Sequence, residues 1–359
     1  MKILYLAPPS LSDHDAARLG LRLSWLAANR GASPHVGFLP PPDREPAWPA
    51  GIHVHLLTEA WELGTLLSQC PFNLIVVVDW HRPYLLFEQT NPPVAIVHEM
   101  IANPDLETVL DLLSDPPMDA LVIQSPYLHS MLAAHFNQRA PVPVCLVPPC
   151  VPTDTFRPGP APAPAQRRIV LWSGSPECRG WLDFVTLADE LARGRDDCEF
   201  WVIGGQSISN QAASRLLRRV DQTAALRYRF RWIQQFDYQR LPSLLALVSG
   251  SGGLVLATGE EDSLAPIVEA LACGCPVMAP RQRDYEQVLG GQLAAGLHEP
   301  EAVQDAKAVF GRLLDDRRLR LDLAAAGRHL AEARYDINVV ARAYAEFLAQ
   351  CAGEATGSG

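Results

Sequence analysis

The stretch that most restricts the fold is the run from Leu254 to Ala279. Leu254-Val255-Leu256-Ala257 is a short apolar run that reads as a buried strand, and Val277-Met278-Ala279 reads as another. Between them one helix is expected. Ser263 suits its N-cap, Pro266 suits a first turn where a missing N–H costs nothing, and Gly274 marks its end. A buried strand, a capped helix and a second buried strand make a unit of an α/β domain. Glu261 then falls in the loop at the carboxyl end of the first strand and Glu269 within the helix, while the N–H groups near Ser263, Leu264 and Ala265 form a helix start of the kind that attracts phosphate.

The Glu261 to Glu269 spacing alone carries little, because Glu99 and Glu107, and Glu346 and Glu354, repeat it. The order of the whole string is informative. Glu261, seven residues, Glu269, an Ala-rich helix and Gly274-Cys275-Pro276-Val277 together resemble the donor-site signature of the family 4 glycosyltransferases. The bland alternative is an ordinary capped helix between two strands. The resemblance implies the GT-B fold, two Rossmann-like doubly wound α/β domains facing a cleft. It also implies that Glu269 holds the nucleotide ribose, Glu261 a hydroxyl of the donor sugar, and the amides at Ser263, Leu264 and Ala265 the diphosphate.

Composition narrows the alternatives. The 359 residues suffice for two ordinary cores, with 48% hydrophobic and 19% charged residues. A formal net charge of −10 lacks the basic footprint of a nucleic-acid binder, so no nucleic-acid partner is expected. The first apolar run, Ile3 to Ala7, is too short for a signal peptide, and the window from Leu241 to Ala257 is broken by Pro242 and by Ser249 to Gly253. A cytoplasmic protein is expected. Eight cysteines without a Cys-x-x-Cys pair read as reduced core residues, and no metal site is expected.

Read in order, Lys2 to Ala7 is a strand and Ala16 to Asn29 a helix ending at Gly31. The loop between them, Pro8 to Asp15, has no glycine, which disfavours a dinucleotide oxidoreductase. Further strands are expected at Ile52 to Leu56, Leu74 to Val78, Val94 to Val97, Leu121 to Ile123 and Val142 to Val147, with Asp79 to Arg82 and His98-Glu99 at strand ends where open sheets bind ligands. His98 matches the active-site loop position of the resembled family; on residues alone it reads as a histidine capping a strand end. The domains are expected as 1–150 for the acceptor, a Pro-rich linker at 151–166, 167–335 for the donor, a helix at 336–350 crossing back to the first domain, and a disordered tail at 351–359.

The second domain opens with the strand Arg168 to Trp172 and a turn where family members carry Gly-Arg and then Lys-Gly to hold the donor diphosphate. Here Gly174 is kept, Ser175 replaces the first cation, and Arg179-Gly180 stands for the second. The resemblance thus points to a metal-independent hexosyltransferase that retains configuration, with His98, Arg179 and Glu261 in the catalytic set and a UDP- or GDP-sugar as donor substrate; no other cofactor is implied. The first 150 residues hold seven basic side chains against fourteen acidic ones, so a soluble small molecule or glycan is expected as acceptor and no strong membrane association. A sugar-nucleotide epimerase or phosphorylase shares this plan. A non-catalytic partner subunit is the third reading, since Ser175 and the glycine-free first loop both weaken phosphate binding.

Overall fold

The computed structural model describes residues 1–42, 46–79, 83–85, 87, 92, 94–101, 104–115, 117–137, 139–159, 167–174, 180–204, 209–234, 236–258 and 263–357. The chain divides into two compact units, Met1–Cys150 with Ile337–Gly359, and Val151–Asp336. Each unit is built on one parallel sheet.

In the first unit seven strands run in the order β3-β2-β1-β4-β5-β6-β7. They are β1 (Lys2–Ala7), β2 (Ser33–Phe38), β3 (His53–Leu56), β4 (Leu74–Val78), β5 (Ala95–Met100), β6 (Ala120–Ile123) and β7 (Val144–Leu146). The order reverses between β1 and β4, so this is a doubly wound sheet with a switch point at the carboxyl ends of those strands. β4 is Leu-Ile-Val-Val-Val and wholly buried, as a central strand covered on both faces must be.

β2 interrupts the expected series. Pro34, His35 and Gly37 hide it from an apolar-run reading, yet it pairs with β1 from Ser33 to Phe38. Pro34 precedes the residues paired with β3, His35 to Phe38, so its missing N–H costs no bond on that side. His98 and Glu99, expected beyond a strand end, lie inside β5, opposite Val77 and Val78 of β4.

The helix Asp13–Arg30 starts earlier than Ala16, because Ser12 caps it by accepting from the Asp15 N–H at 3.1 Å. Asp13, His14 and Asp15 therefore form its first turn, where carboxylates favour the helix dipole. The last helix, Ile337–Gly357, packs in this unit through Val340, Tyr344, Ala345, Leu348 and Cys351. That spacing continues the apolar stripe past residue 350, so the stretch 351–357, expected as a disordered tail, is helical.

In the second unit six strands run in the order β10-β9-β8-β11-β12-β13. They are β8 (Arg168–Ser173), β9 (Cys198–Ile203), β10 (Phe230–Ile233), β11 (Leu254–Leu256), β12 (Val277–Pro280) and β13 (Leu297–His298), with the switch point between β8 and β11. Trp172, Phe184, Phe200 and Phe310 are fully buried in it. The segment 151–159, expected as the start of a linker, belongs to this unit. Phe156 is buried against Tyr238, ring centroids 5.8 Å apart, and the Thr153 hydroxyl donates to Asp336 at 2.5 Å. Arg328 adds bonds to the carbonyls of Thr153, at 2.8 Å, and Phe156. Residues 160–166 of the expected linker lie outside the described residues.

Candidate functional site

The carboxyl ends of β8 and β11 flank the switch point of the second sheet, where an open α/β sheet leaves a crevice for ligands. Gly174 follows β8 directly. Its neighbour across the crevice wall is Gly204, after β9, at φ +124°, a conformation open to glycine. A Cβ on Gly204 would lie 2.3 Å from the Gly174 carbonyl oxygen, and one on Gly174 2.6 Å from the Trp172 indole. Gly204 is thus required for the close approach of the two strand ends and Gly174 for the seat of the Trp172 indole, and the Trp232 indole N–H donates to the Gly204 carbonyl at 3.1 Å.

On the β11 side the helix runs from Ala265 to Ala272. Ser263, expected at the N-cap, stands one residue before it and accepts from the Ala265 N–H at 3.1 Å. That bond alters the expected phosphate cradle, because the Ala265 amide is already engaged. Leu264 takes the cap position with helical dihedrals, Pro266 sits in the first turn, and Gly274 ends the helix at φ +66°. Leu264 and Ala265 are both buried.

Glu269 lies on this helix with its carboxylate buried, 2% exposed, where an ionised group requires polar partners. One is Tyr238, whose hydroxyl donates to Oε1 at 2.7 Å. Tyr238 comes from the short helical turn Tyr238–Arg240, thirty-one residues earlier, and sequence order alone could not pair them. Three other expected site residues, Ser175, Arg179 and Glu261, lie outside the described residues.

His98 sits in the first unit and is fully buried in β5. Its Nδ1 is 2.6 Å from the hydroxyl of Tyr84, and the two rings stack at 5.8 Å. Burial holds the Tyr84 phenol above its ordinary pKa, so it keeps its proton and donates to Nδ1. A neutral His98 then carries its proton on Nε2. Nearby, Asp79 adopts φ +44° and accepts from the Ile101 N–H at 2.8 Å, tying the end of β4 to the end of β5.

Glu99, next to His98, is engaged elsewhere. Its carboxylate pairs with Arg22 and accepts from the Tyr344 hydroxyl at 2.7 Å, and the Arg22 guanidinium lies 4.4 Å from the Tyr344 ring centroid. Burial depresses the Arg22 pKa, and Glu99 together with Tyr344, Cys150 and Tyr5 more than reverses this, so the net direction is upward. Glu99 is therefore a framework residue, although its place at a strand's carboxyl end suggested a ligand.

Among the described residues no group of three His, Cys, Asp or Glu side chains is placed to hold a metal ion, and no helix is long and apolar enough to cross a membrane.

A family model described as glycosyl transferase-like matches residues 215–346, a span that contains Tyr238, Ser263 and Glu269. No curated protein matches the sequence. Solved structures resemble the chain over nearly its whole length. HepE from Anabaena, in complex with UDP and glucose, is 16% identical with a TM-score of 0.74, covering 98% of this chain and 100% of that one. Sucrose-phosphate synthase from Thermosynechococcus elongatus is 15% identical with a TM-score of 0.74, covering 98% and 99%. A glycosyltransferase from Rickettsia africae is 12% identical with a TM-score of 0.72, covering 98% of each chain. The fold is GT-B, as the resemblance implied.

Proposed function

We propose that the protein is a glycosyltransferase that moves a sugar from a nucleotide-diphosphate sugar to a soluble acceptor, with retention and without a metal ion. The observation that carries this reading is the Glu269 carboxylate. It is buried and held by Tyr238 on the helix that follows β11, within the stretch matched by the glycosyl transferase-like model and beside the switch point of the second sheet. A carboxylate so held accepts from two vicinal ribose hydroxyls without first being stripped of water. The complexes of HepE with UDP, with UDP and glucose, and with UDP-glucose favour a uridine donor over a guanosine one.

In this reading the diphosphate rests near the amides of Ser263 and Leu264 with Arg179 beside it, and fixed dipoles meet the charge that develops on the leaving group. Glu261 binds a donor-sugar hydroxyl, Gly174 and Ser175 leave room for the phosphates, and His98 lines the transfer site. Because Tyr84 occupies its Nδ1, His98 offers an N–H from Nε2 and acts as a hydrogen-bond donor to the sugar.

Calorimetry with UDP, GDP and their glucose conjugates tests the proposal. UDP-glucose is expected to bind, and Glu269→Ala to weaken it by about tenfold or more. The engaged Ala265 amide favours a second reading, a non-catalytic partner subunit, and absence of binding to every nucleotide would select it.

A further inference from the structure

Between Asn210 and Arg231 the chain carries six arginines and one acidic residue, Asp221, in a protein of formal net charge −10. Two of the six are tied to other segments of the unit, and Arg218 gives its Nε–H to the Ser214 carbonyl of its own helix at 3.1 Å. Arg229 donates to the carbonyls of Ala225 and Ala192, both at 2.9 Å, and Arg231 pairs with Glu199 at 2.9 Å. The other four, Arg215, Arg218, Arg219 and Arg227, are exposed and take part in no ion pair among the described residues. Two other exposed arginines of the unit do face carboxylates, Arg193 with Asp189 and Arg318 with Asp322.

The helix Asn210–Asp221 explains the arrangement. Ala212, Leu216 and Val220, four residues apart, are buried against the unit, which turns Arg215, Leu217 and Arg218 outward with Arg219 at the flank. The turn after this helix then presents Arg227 and Tyr228. Tyr228 is 85% exposed, and the Arg227 guanidinium lies 5.8 Å from its ring centroid.

We propose that this arginine and tyrosine surface binds an anionic glycan, a sugar chain bearing carboxylate, sulfate or phosphate groups. Guanidinium forks match such groups two bonds at a time, and four exposed like charges that no carboxylate among the described residues pairs with gain most from a ligand that carries several anions. The exposed Tyr228 ring adds a flat apolar face for a sugar ring. A lipid surface fits less well, because the helix's apolar stripe is already buried in its own unit and only Leu217, 48% exposed, is left to insert. The choice of a glycan over other polyanions rests on the glycosyl-transfer reading, but its test uses no nucleotide.

Binding of the full chain to polygalacturonate is measured by titration at several salt concentrations, beside dextran, a single-stranded oligonucleotide and vesicles of phosphatidylcholine with phosphatidylglycerol. Polygalacturonate is expected to bind and dextran not. The triple variant R215S/R218S/R219S should lose about tenfold or more in affinity and show a shallower salt dependence. Tyr228→Ala, which removes no charge, should weaken polygalacturonate several-fold with the salt dependence unchanged. Equal affinity for the oligonucleotide, retention on the vesicles in place of the glycan, or an unaltered triple variant overturns the proposal. Polygalacturonate binding by a protein that takes up no nucleotide sugar would sink the transferase reading alone.

Discussion

The hydroxyl of Tyr344 donates to the Glu99 carboxylate at 2.7 Å, joining residues 245 positions apart in the chain. With Arg22 on the other oxygen, the last helix, the first helix and β5 meet at one buried charge pair. Removing one member leaves an uncompensated charge in an apolar core. Glu99→Gln or Arg22→Met should therefore lower the stability of the first unit by about 3–5 kcal/mol, and Tyr344→Phe by about 1–3 kcal/mol. The double variant R22M/E99L should recover most of the loss. Urea unfolding of the full protein reads all four, and a double variant no more stable than the single ones would show that the pair is net stabilising.

Tyr84 and His98 give a prediction that does not depend on turnover. In the wild type the ¹⁵N chemical shifts of His98 should report protonated Nε2 and unprotonated Nδ1, because the Tyr84 phenol occupies Nδ1. Tyr84→Phe removes that restraint, so a mixture of tautomers should appear. If His98 donates to the sugar, kcat should fall by about tenfold with donor affinity little changed. An unaltered tautomer in the variant would refute the positioning role.

The Tyr238 hydroxyl holds the Glu269 carboxylate that is proposed to bind ribose. Tyr238→Phe should raise the Kd for UDP-glucose by about 3- to 10-fold, through a carboxylate left less well oriented, and the effect should vanish in a Glu269→Ala background. Independent, additive effects measured by calorimetry would mean that the two residues do not act through one bond.

Three imidazoles cluster on β2 and β3. Nδ1 of His35 lies 2.9 Å from Nε2 of His55, and His35 stacks on His53 with centroids 4.5 Å apart. Burial, then His53, His55 and Lys2, push the His35 pKa down to about 4, from 6.5. Between those values the unfolded chain binds more protons than the folded one, so this contribution is complete above pH 6.5 and is lost as pH falls toward 4. The loss is on the order of 2 kcal/mol. His35→Asn should flatten the fall in thermal midpoint between pH 6.5 and 4.5, and an identical slope in both proteins would remove His35 as the cause.

Much of the fold could be read from the residues because buried parallel strands are short apolar runs. β1, β4, β6 and β8 are such runs. β2 was hidden because a strand can keep its ladder with a proline before its paired region and a glycine within it. The helix carrying Glu269 is legible from Pro266 and Gly274, which act locally, although Leu264 and not Ser263 holds its cap position. The partners of the polar residues were not. Tyr238 reaches Glu269, Tyr84 reaches His98 and Arg22 reaches Glu99 only through the winding of the sheets, and nothing in the spacing of those residues encodes the meeting.

Residues 151–336 form one unbroken unit, whereas the first unit needs Ile337–Gly357 to finish its core. During synthesis the unit encoded second is thus complete while the earlier one still lacks its closing helix. Domains ordinarily fold in the order in which they leave the ribosome. Here that order is reversed for the final docking step, and a stop codon anywhere before Tyr344 would injure the half of the protein made first.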